Sequence, residues 1–334
     1  MRAAYCTVPR QIELRDVPPP TPAPGEVLVR IHACGICGSD LHYFNGAAPP
    51  PSVCLGHEIV GRVASEAGAF ALDEAVVIEP LLACRTCARC RAGQPNLCPS
   101  LRILGSMAPG GLEELVAVPA ETLYRLPTGL ELDTAMLAEP LAVGVHAAHV
   151  AGVAPGDHVL VLGAGVIGLF AAFAATRAGA QVTISARHPQ QAAAARLLGA
   201  AHIVDTTPEA ITSHGASTPP DIVIETVGGT AATLDLALSV VRPGGRIIAL
   251  GKFTQPIVLP PLRFLMKEVQ LGSSMTYCRQ GSRPDFATAL ALLAAHPHLG
   301  TLVTHTVTLA DVARGFALAA DKTSGALKVA VRAA

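Results

Sequence analysis

Tryptophan is absent from the 334-residue sequence, and only 4% of the residues are aromatic. Charged residues are few as well, at 15%, and the 24 Lys and Arg nearly cancel the 25 Asp and Glu, which leaves a net charge of −1. A chain without an excess of one sign has no long-range field that would draw it to nucleic acid or to an anionic membrane. We therefore expect a small-molecule partner, and neither nucleic acid nor membrane.

The sequence also lacks the usual signals of export. Its start, "MRAAYCTVPRQIEL", has no apolar core of the kind found in signal peptides. The most apolar run, 159–176, is long enough to suggest a membrane span, but three glycines near its middle favour a buried strand followed by a buried helix. We predict a cytoplasmic protein, a compartment in which clustered cysteines are typical of metal sites and not of disulfides.

Two patterns divide the chain, which is long enough for two domains. Residues 1–145 contain short strands between proline and glycine breaks. Residues 146–283 alternate apolar strands with helices, a pattern typical of a parallel sheet that is covered on both faces. Residues 284–334 resemble the first segment again. The pattern predicts an α/β protein in which 284–334 returns to the domain formed by 1–145.

A glycine-rich turn, "GAGVIG", follows an apolar strand and opens a helix. Gly163, Gly165 and Gly168 have the spacing at which the first glycine allows a tight turn, the second admits a pyrophosphate, and the third lets the helix pack on the strand. The amides at the start of the helix would face the phosphates. Simple helix–strand packing is the alternative, but the strand–helix units that follow favour dinucleotide binding.

The end of the next strand, "TISARH", lacks the acidic residue that usually accepts hydrogen bonds from the ribose of NAD. Ser185, Ala186 and Arg187 stand there instead. Losing the acid removes repulsion against a 2′-phosphate, and arginine supplies a permanently charged donor suited to phosphate. The pattern favours NADP over NAD. The alternative is that Arg187 is an ordinary solvated charge.

Four cysteines, Cys84, Cys87, Cys90 and Cys98, lie within one short loop that is otherwise rich in Arg and Gly. Four thiolates can close a tetrahedron around zinc with no open position, which is the arrangement of a structural site. Disulfides or unrelated core cysteines are the alternatives, and the regular spacing argues against them. We predict a structural zinc ion in this loop.

A looser set of metal-ligating residues lies nearer the N-terminus, in "HACGICGSDLH" (32–42) and "LGHEIVG" (55–61). Cys37, His57 and Glu58 offer sulfur, imidazole and carboxylate, the mixture expected where zinc keeps a labile position for substrate. Taken alone, Cys34 or Cys37 could equally be a small buried apolar residue. The surrounding glycines and polar residues favour a site.

In combination these motifs resemble one family. The motifs are, in order, "CGICGSDLHYF" (34–44), "LGHE" (55–58), the four-cysteine loop, "EPLAVGVHA" (139–147) and "GAGVIG". Their order and distances are typical of zinc-dependent medium-chain alcohol dehydrogenases, and nearly the whole chain is covered. Within that family the chain is similar to the polyol branch of sorbitol, L-idonate and butanediol dehydrogenases. The resemblance implies a GroES-like, partly open β-barrel catalytic domain into which a Rossmann domain is inserted.

The resemblance also implies roles for residues of the catalytic domain. Cys37 and His57 would bind the catalytic zinc, with Glu58 as a ligand or as a neighbour of the ligands. Glu139 falls where the family places a third ligand or a carboxylate bonded to zinc-bound water. Ser39 and His42 would pass the substrate proton to solvent.

Two positions bear on the substrate. Tyr43 keeps the "HYF" sequence of the polyol branch, whereas Met275 or Thr276 stands where sorbitol dehydrogenases carry an arginine that contacts distal hydroxyls. We therefore expect a secondary alcohol or small diol and its ketone, with a long polyol or sugar acid as the alternative. Residues expected to contact the cofactor, besides those named above, are Val166, Ile167, Thr226, Leu250, Gly251 and Ser273.

The resemblance further implies a zinc-dependent NAD(P) oxidoreductase with two zinc ions per chain, assembled as a homo-oligomer, either a dimer or a tetramer. A zinc-free reductase of the same superfamily would lack both cysteine sets. A non-enzymatic NADP-binding structural protein that retains the fold is the remote alternative.

Overall fold

The change of pattern near residue 140 corresponds to a change of structural unit. A computed structural model describes residues 1–65, 69–280 and 283–333. One unit comprises Met1–Glu139 with Gly281–Ala334, and the other comprises Pro140–Gln280. The chain passes from the first unit to the second inside a helix, Ala138–Ala151, whereas the sequence pattern placed the boundary after residue 145. No helix within the described ranges is long and apolar enough to cross a membrane.

The bounds of the secondary-structure elements follow the chain. The strands are β1 Arg2–Val8, β2 Gln11–Asp16, β3 Glu26–Gly35, β4 Glu58–Val63, β5 Ala75–Ile78, β6 Leu81–Leu82, β7 Arg102–Ile103, β8 Leu115–Pro119, β9 Leu123–Arg125, β10 His158–Leu162, β11 Gln181–Ser185, β12 His202–Val204, β13 Ile222–Glu225, β14 Arg246–Ala249, β15 Gln270–Ser273, β16 Arg279–Gln280, β17 Arg283–Pro284, β18 Val303–Thr308 and β19 Lys328–Arg332. The α-helices are α1 Gly38–Phe44, α2 Ala88–Arg91, α3 Leu132–Ala135, α4 Ala138–Ala151, α5 Val166–Arg177, α6 Pro189–Leu197, α7 Pro208–Ser217, α8 Thr233–Val240, α9 Pro261–Lys267, α10 Asp285–Ala295 and α11 Val312–Ala320. Short 3₁₀ turns cover Pro95–Leu97, Ala120–Thr122, Pro297–Leu302 and Leu309–Asp311.

A mostly antiparallel sheet organises the first unit. Its strand order is β18-β19-β3-β4-β5-β9, and β8 pairs with β3 beside this path. Alternating apolar residues of β3 and β4 point into a core to which β19, from the C-terminal end, contributes Val329 and Val331. The register of β3 against β4 sets Gly35 opposite Glu58, so the ends of these two strands come together. The segments that carry Cys37 and His57 adjoin this point.

The second unit contains a six-stranded parallel sheet in the order β12-β11-β10-β13-β14-β15. The inner strands β10 and β13 are almost wholly buried, as expected for a parallel sheet covered by helices, whereas the edge strands β12 and β15 are more exposed. The predicted helices at α5, α6 and α8 are confirmed. Helix α7 was not predicted, because its sequence "PEAITSHGAS" has only a weak apolar stripe; it begins where the Thr207 hydroxyl accepts a hydrogen bond from Ala210 N.

Candidate functional site

Three of the predicted metal ligands converge in the first unit. Cys37 is the residue before α1, and His57 and Glu58 lie at the start of β4. One potential ligand atom from each of the three lies within 4.8 Å of the others. The pairing of β3 with β4 is the cause, because it brings the end of one strand to the beginning of the next. A thiolate, an imidazole and a carboxylate at this spacing form a donor set that suits zinc.

Glu58 is fully buried and is held by a lysine that the sequence reasoning did not identify. Lys328 Nζ lies 2.5 Å from Glu58 Oε1 and donates a second hydrogen bond to the carbonyl oxygen of Ile36. Lys328 is itself only 4% exposed. The other carboxylate oxygen, Glu58 Oε2, has no hydrogen-bond partner among the described residues. A buried oxygen of this kind next to a thiol and an imidazole fits a bound cation.

Negative charge exceeds positive charge around these residues. Burial and the nearby Glu58 raise the pKa of Glu139 to about 7, although His57 opposes the shift. Burial lowers the pKa of His57, but the charges of Cys37 and Asp40 outweigh it and hold that pKa well above its ordinary value. The His57 shift indicates that a further positive charge would be stabilised at this point. Electrostatics and donor chemistry therefore agree that the residues fit a divalent metal.

Asp40 orders the segment around Cys37 and was not identified from the sequence. Its side chain is buried, and Oδ2 accepts a hydrogen bond from Cys37 N at 2.9 Å. Its other oxygen faces His57 Nδ1 at 3.8 Å. A carboxylate facing one imidazole nitrogen leaves the other nitrogen for a metal, an arrangement common around histidine ligands. The signal in the sequence was the acidic residue at the third position of a short helix.

Helix α1 carries the remaining predicted residues of this unit. Ser39 Oγ lies 3.5 Å from His57 Nε2 and is exposed. His42 lies in the last turn of the helix. Tyr43, one turn after Ser39, has its hydroxyl 2.9 Å from Ser106 Oγ. The helical spacing places Ser39 and Tyr43 on one face.

The four-cysteine loop forms a second cluster in the same unit. The sulfur atoms of Cys84, Cys87, Cys90 and Cys98 lie within 4.8 Å of one another, and none of them is in a disulfide. Backbone amides donate to the sulfurs in sequence, from Cys87 N to Cys84 Sγ and from Cys90 N to Cys87 Sγ, each at 3.4 Å. Backbone N–H groups, from Thr86 and then Cys87, lower the pKa of Cys84 to about 5. Burial and the neighbouring sulfurs of Cys87 and Cys98 raise the pKa of Cys90 to about 12. Four converging sulfurs of this kind fit a tetrahedral zinc ion.

The glycine-rich turn lies at the carboxyl end of β10 in the second unit. Gly163 has a φ of +98°, a conformation that other residues rarely adopt. A Cβ atom at Gly168 would collide with the Gly163 carbonyl oxygen and lie 2.8 Å from Thr226 Oγ1. Gly165 precedes the first turn of α5, which contains Val166 and Ile167. The turn therefore has the backbone that a pyrophosphate site at a helix N-terminus requires.

The end of β11 adjoins this turn. Ser185 is buried, and its hydroxyl accepts a hydrogen bond from Gly163 N at 2.9 Å. Ala186 is also buried, whereas Arg187 is exposed. The other expected cofactor residues, Thr226, Leu250, Gly251 and Ser273, lie at or just beyond the ends of β13, β14 and β15. Met275 follows β15 and is 50% exposed.

Comparisons with known proteins agree with this geometry. Residues 23–128 match the alcohol dehydrogenase GroES-like domain, and residues 166–295 match the zinc-binding dehydrogenase domain. The chain is 33% identical to sorbitol dehydrogenase of Bacillus subtilis over 266 residues, which are 75% of each chain. It is also 33% identical to L-idonate 5-dehydrogenase of Vitis vinifera over 277 residues, which are 77% of this chain and 75% of that one.

Solved structures give the same result. 2R,3R-butanediol dehydrogenase from Bacillus subtilis is 27% identical, with a TM-score of 0.87 over 100% of this chain and 99% of that one. An alcohol dehydrogenase of Escherichia coli CFT073 complexed with NADH is 26% identical, with a TM-score of 0.90 over 99% of each chain. A zinc-binding dehydrogenase from Sinorhizobium meliloti bound to NADP is 28% identical, with a TM-score of 0.86 over 99% of this chain and 98% of that one. The chain belongs to the zinc-dependent medium-chain alcohol dehydrogenase family, in the polyol branch, and is an NAD(P)-dependent oxidoreductase.

Proposed function

We propose that this protein, acting in the cytoplasm, interconverts a secondary alcohol or small diol and its ketone, with NADP as the preferred cofactor. The observation that carries the proposal is the convergence of Cys37, His57 and Glu58, with the Ser39 hydroxyl beside the imidazole. A structural protein that merely binds NADP would have no use for a buried donor set of this kind next to an exposed hydroxyl.

Cys37 and His57 would hold the catalytic zinc, together with Glu58 or Glu139 as the third protein ligand. Zinc held there would supply a Lewis acid for the oxygen of an alcohol or ketone, and a dinucleotide would supply the acceptor or donor of hydride. Ser39 receives the hydroxyl proton of the substrate at Oγ and transfers it toward His42 and solvent. Asp40 keeps His57 oriented, and Lys328 fixes one oxygen of Glu58. The four-cysteine loop would hold the second, structural zinc.

The preference for NADP is proposed from the end of β11. Ser185 already accepts a hydrogen bond from the glycine-rich turn, so Arg187 is the charged donor left for a 2′-phosphate. No acidic side chain stands at positions 185–188 to repel that phosphate.

The substrate class is proposed from two positions. Met275 or Thr276, neither of them charged, stands where the resemblance places the arginine of sorbitol dehydrogenases, which favours a substrate with few distal hydroxyls. The hydrogen-bonded pair of Tyr43 and Ser106 favours the second candidate, a polyol or sugar acid oxidised with NAD, because two hydroxyls in contact can donate to and accept from a substrate hydroxyl.

Homo-oligomerisation, as a dimer or tetramer, is proposed from one face of the second unit. Strand β15 ends the parallel sheet in the described structure, and α9 precedes it in the chain. Val258, Leu262, Leu265 and Met266, in α9 and the segment before it, are between 69% and 84% exposed. Exposed apolar side chains and the open edge of a sheet are each typical of a protein–protein interface.

The decisive test measures turnover of the purified protein with secondary alcohols, diols, polyols and ketones, each with NADP and with NAD. We expect secondary alcohols or small diols with NADP to give the highest kcat/KM, and metal analysis to give two zinc ions per chain. Failure to oxidise or reduce any member of the panel would favour the non-enzymatic alternative, and one zinc ion in fully active protein would contradict the two-site proposal.

Variants test the roles of the residues. Cys37→Ala is expected to be inactive but folded and still able to bind dinucleotide, whereas retained alcohol oxidation would refute the mechanism. Glu139→Gln separates two roles: loss of zinc would identify a ligand, and retained zinc with slower turnover would identify a group that acts on the proton. Cys6→Ala, which changes a buried cysteine outside every candidate metal cluster of the described residues, is the matched control and should keep both zinc ions.

A further inference from the structure

Glu225, at the end of β13, is a fully buried carboxylate to which the sequence patterns assigned no role. Its Oε1 atom accepts hydrogen bonds from Val227 N at 2.8 Å, from Gly228 N at 2.9 Å and from Thr233 Oγ1 at 2.8 Å. All three donors belong to the passage from β13 to α8. One oxygen atom therefore fixes the conformation of this loop, in which Gly228 has a φ of +61°.

The same residue also contacts a second loop, which follows β14. The backbone carbonyl of Glu225 accepts hydrogen bonds from Leu250 N at 2.8 Å and Gly251 N at 3.2 Å. The side-chain Oε2 atom is packed so closely on Gly251 that a Cβ atom at that position would lie 2.5 Å from it. Glu225 thus holds the 226–229 loop and the 250–251 loop against each other.

The cost of burying this carboxylate points to a role other than stability. Oε2 has no hydrogen-bond partner among the described residues, and a buried polar atom without a partner is costly. An apolar residue would fill the core at lower cost, but it would leave the three donors of the loop unsatisfied. The carboxylate is therefore suited to fixing the shape of the loop.

The strand order shows which part of a dinucleotide these loops would meet. β10, which leads into the glycine-rich turn, lies between β11 and β13. A ligand that places its pyrophosphate at the turn and its adenosine at Arg187, over β11, must place its other half over β13 and β14. Glu225 lies directly beside Leu162 of β10, and Thr226 Oγ1 donates hydrogen bonds to the carbonyl oxygens of Leu162 and Gly163.

We propose that Glu225 is a positioning residue for the nicotinamide half of the cofactor, acting through the 226–229 and 250–251 loops. The inference rests on the proposed dinucleotide binding. It predicts that loss of the Oε1 acceptor weakens binding of the whole dinucleotide without weakening binding of its adenosine half. A residue that only stabilised the fold would not produce this difference.

The experiment uses the full chain without substrate and measures two dissociation constants. NADPH is titrated by its fluorescence, and adenosine 2′,5′-bisphosphate, which lacks the nicotinamide half, is titrated by calorimetry. Glu225→Ala should raise the dissociation constant of NADPH by about tenfold or more and leave that of the bisphosphate within about twofold of the wild-type value. Glu225→Gln should largely restore NADPH binding, to within about threefold, because the amide oxygen can accept the same hydrogen bonds.

Asp221→Asn is the matched control, since Asp221 immediately precedes β13 at the opposite end of the strand. Its carboxylate accepts hydrogen bonds from His158 N and Arg242. We expect both dissociation constants of this variant to stay within about twofold of wild type. If Glu225→Ala fails to fold, Thr233→Val replaces it, because this variant removes one of the three donors. It should raise the dissociation constant of NADPH by about threefold and leave that of the bisphosphate unchanged.

The results separate the inference from the proposed function. Wild-type protein that binds both ligands, with variants that bind NADPH as tightly as wild type, would overturn the inference and leave dinucleotide binding intact. Equal weakening of NADPH and the bisphosphate would also overturn it, because Glu225 would then support the whole domain. Wild-type protein that binds neither ligand would overturn the proposed cofactor and, with it, the inference.

Discussion

We expect Arg187 to determine the choice between NADP and NAD. Its side chain is exposed beside the buried Ala186, and its charge-assisted hydrogen bonds to a 2′-phosphate should contribute about 1.5–3 kcal/mol. Arg187→Ala should therefore raise the KM for NADP by about 10- to 150-fold and leave the KM for NAD nearly unchanged. Because the site is exposed, the effect should shrink as salt rises.

Two further variants sharpen this test. Ala186→Asp in the Arg187→Ala background should add a ribose partner and repel the phosphate, which would move the preference to NAD. Arg196→Ala, an exposed arginine in α6, is the control and should leave both Michaelis constants unchanged. A wild-type enzyme that used NAD as efficiently as NADP would identify Arg187 as an ordinary solvated charge.

Glu113 should make stability fall with rising pH. Burial raises the pKa of this carboxyl group to about 8, against opposition from a hydrogen bond with Cys54. Between about pH 4.5, the ordinary pKa of a glutamate, and about pH 8, the folded protein keeps the proton on Glu113, whereas the unfolded chain has lost it. The stabilisation from the protonated group is complete below that value and is lost as pH rises toward about 8.

Denaturant unfolding at about pH 6 and about pH 9, below and above the raised pKa of about 8, checks this expectation. Glu113→Gln should flatten the decline, by on the order of 2 kcal/mol between the two conditions. The neighbouring Glu114 is a matched control, because hydrogen bonds from the Arg2 backbone and side chain lower its pKa instead. Glu114→Gln should leave the decline unchanged. A wild-type protein whose stability did not fall between these conditions would contradict the assignment.

At the scale of an element, the four-cysteine loop lacks regular structure apart from α2 and one 3₁₀ turn. Its amide-to-sulfur hydrogen bonds stabilise thiolates that would repel one another without a cation. The metal should therefore contribute directly to folding. The loop should lose order when a single ligand is removed.

Cys90→Ser is the corresponding prediction. The variant should lose one zinc ion per chain and unfold at a temperature lower by about 5 °C or more. Metal analysis and thermal unfolding measure both effects. Arg89→Ala, which removes a surface hydrogen bond to Gln94 in the same loop, should keep its zinc and its melting temperature. Full zinc content in Cys90→Ser would show that the cluster is not a four-ligand site.

At the scale of the whole molecule, the apolar surface of α9 predicts self-association. Leu265 and Met266 are 70% and 73% exposed, more than apolar residues of an isolated chain need to be. Leu265→Glu should lower the mass found by sedimentation at micromolar concentration, because a buried unpaired charge opposes association. Leu197→Glu, at a 52% exposed leucine of α6, is the control and should leave the mass unchanged. A monomeric wild-type protein would contradict this prediction.

The sequence by itself determined the features that depend on nearby residues. Cys84 and Cys98 contribute to one loop, and Gly163 and Gly168 to one turn, so residue spacing alone places their atoms close together. The same reasoning predicted α5 and α8, whose apolar residues are dense. It missed α9, which is seven residues long and keeps its apolar side chains exposed, so no buried stripe marked it as a helix.

Only the tertiary structure decided which distant residues meet. Lys328 reaches Glu58 across 270 positions because β19 pairs with β3, and β3 pairs with β4. Asp40 and Glu225 were visible as acidic residues beside motifs, but their burial follows from packing and not from spacing. Strand register sets such distances, and register depends on the whole sheet. Local spacing therefore specified the metal and dinucleotide motifs, and the fold supplied the buried charges that hold them in place.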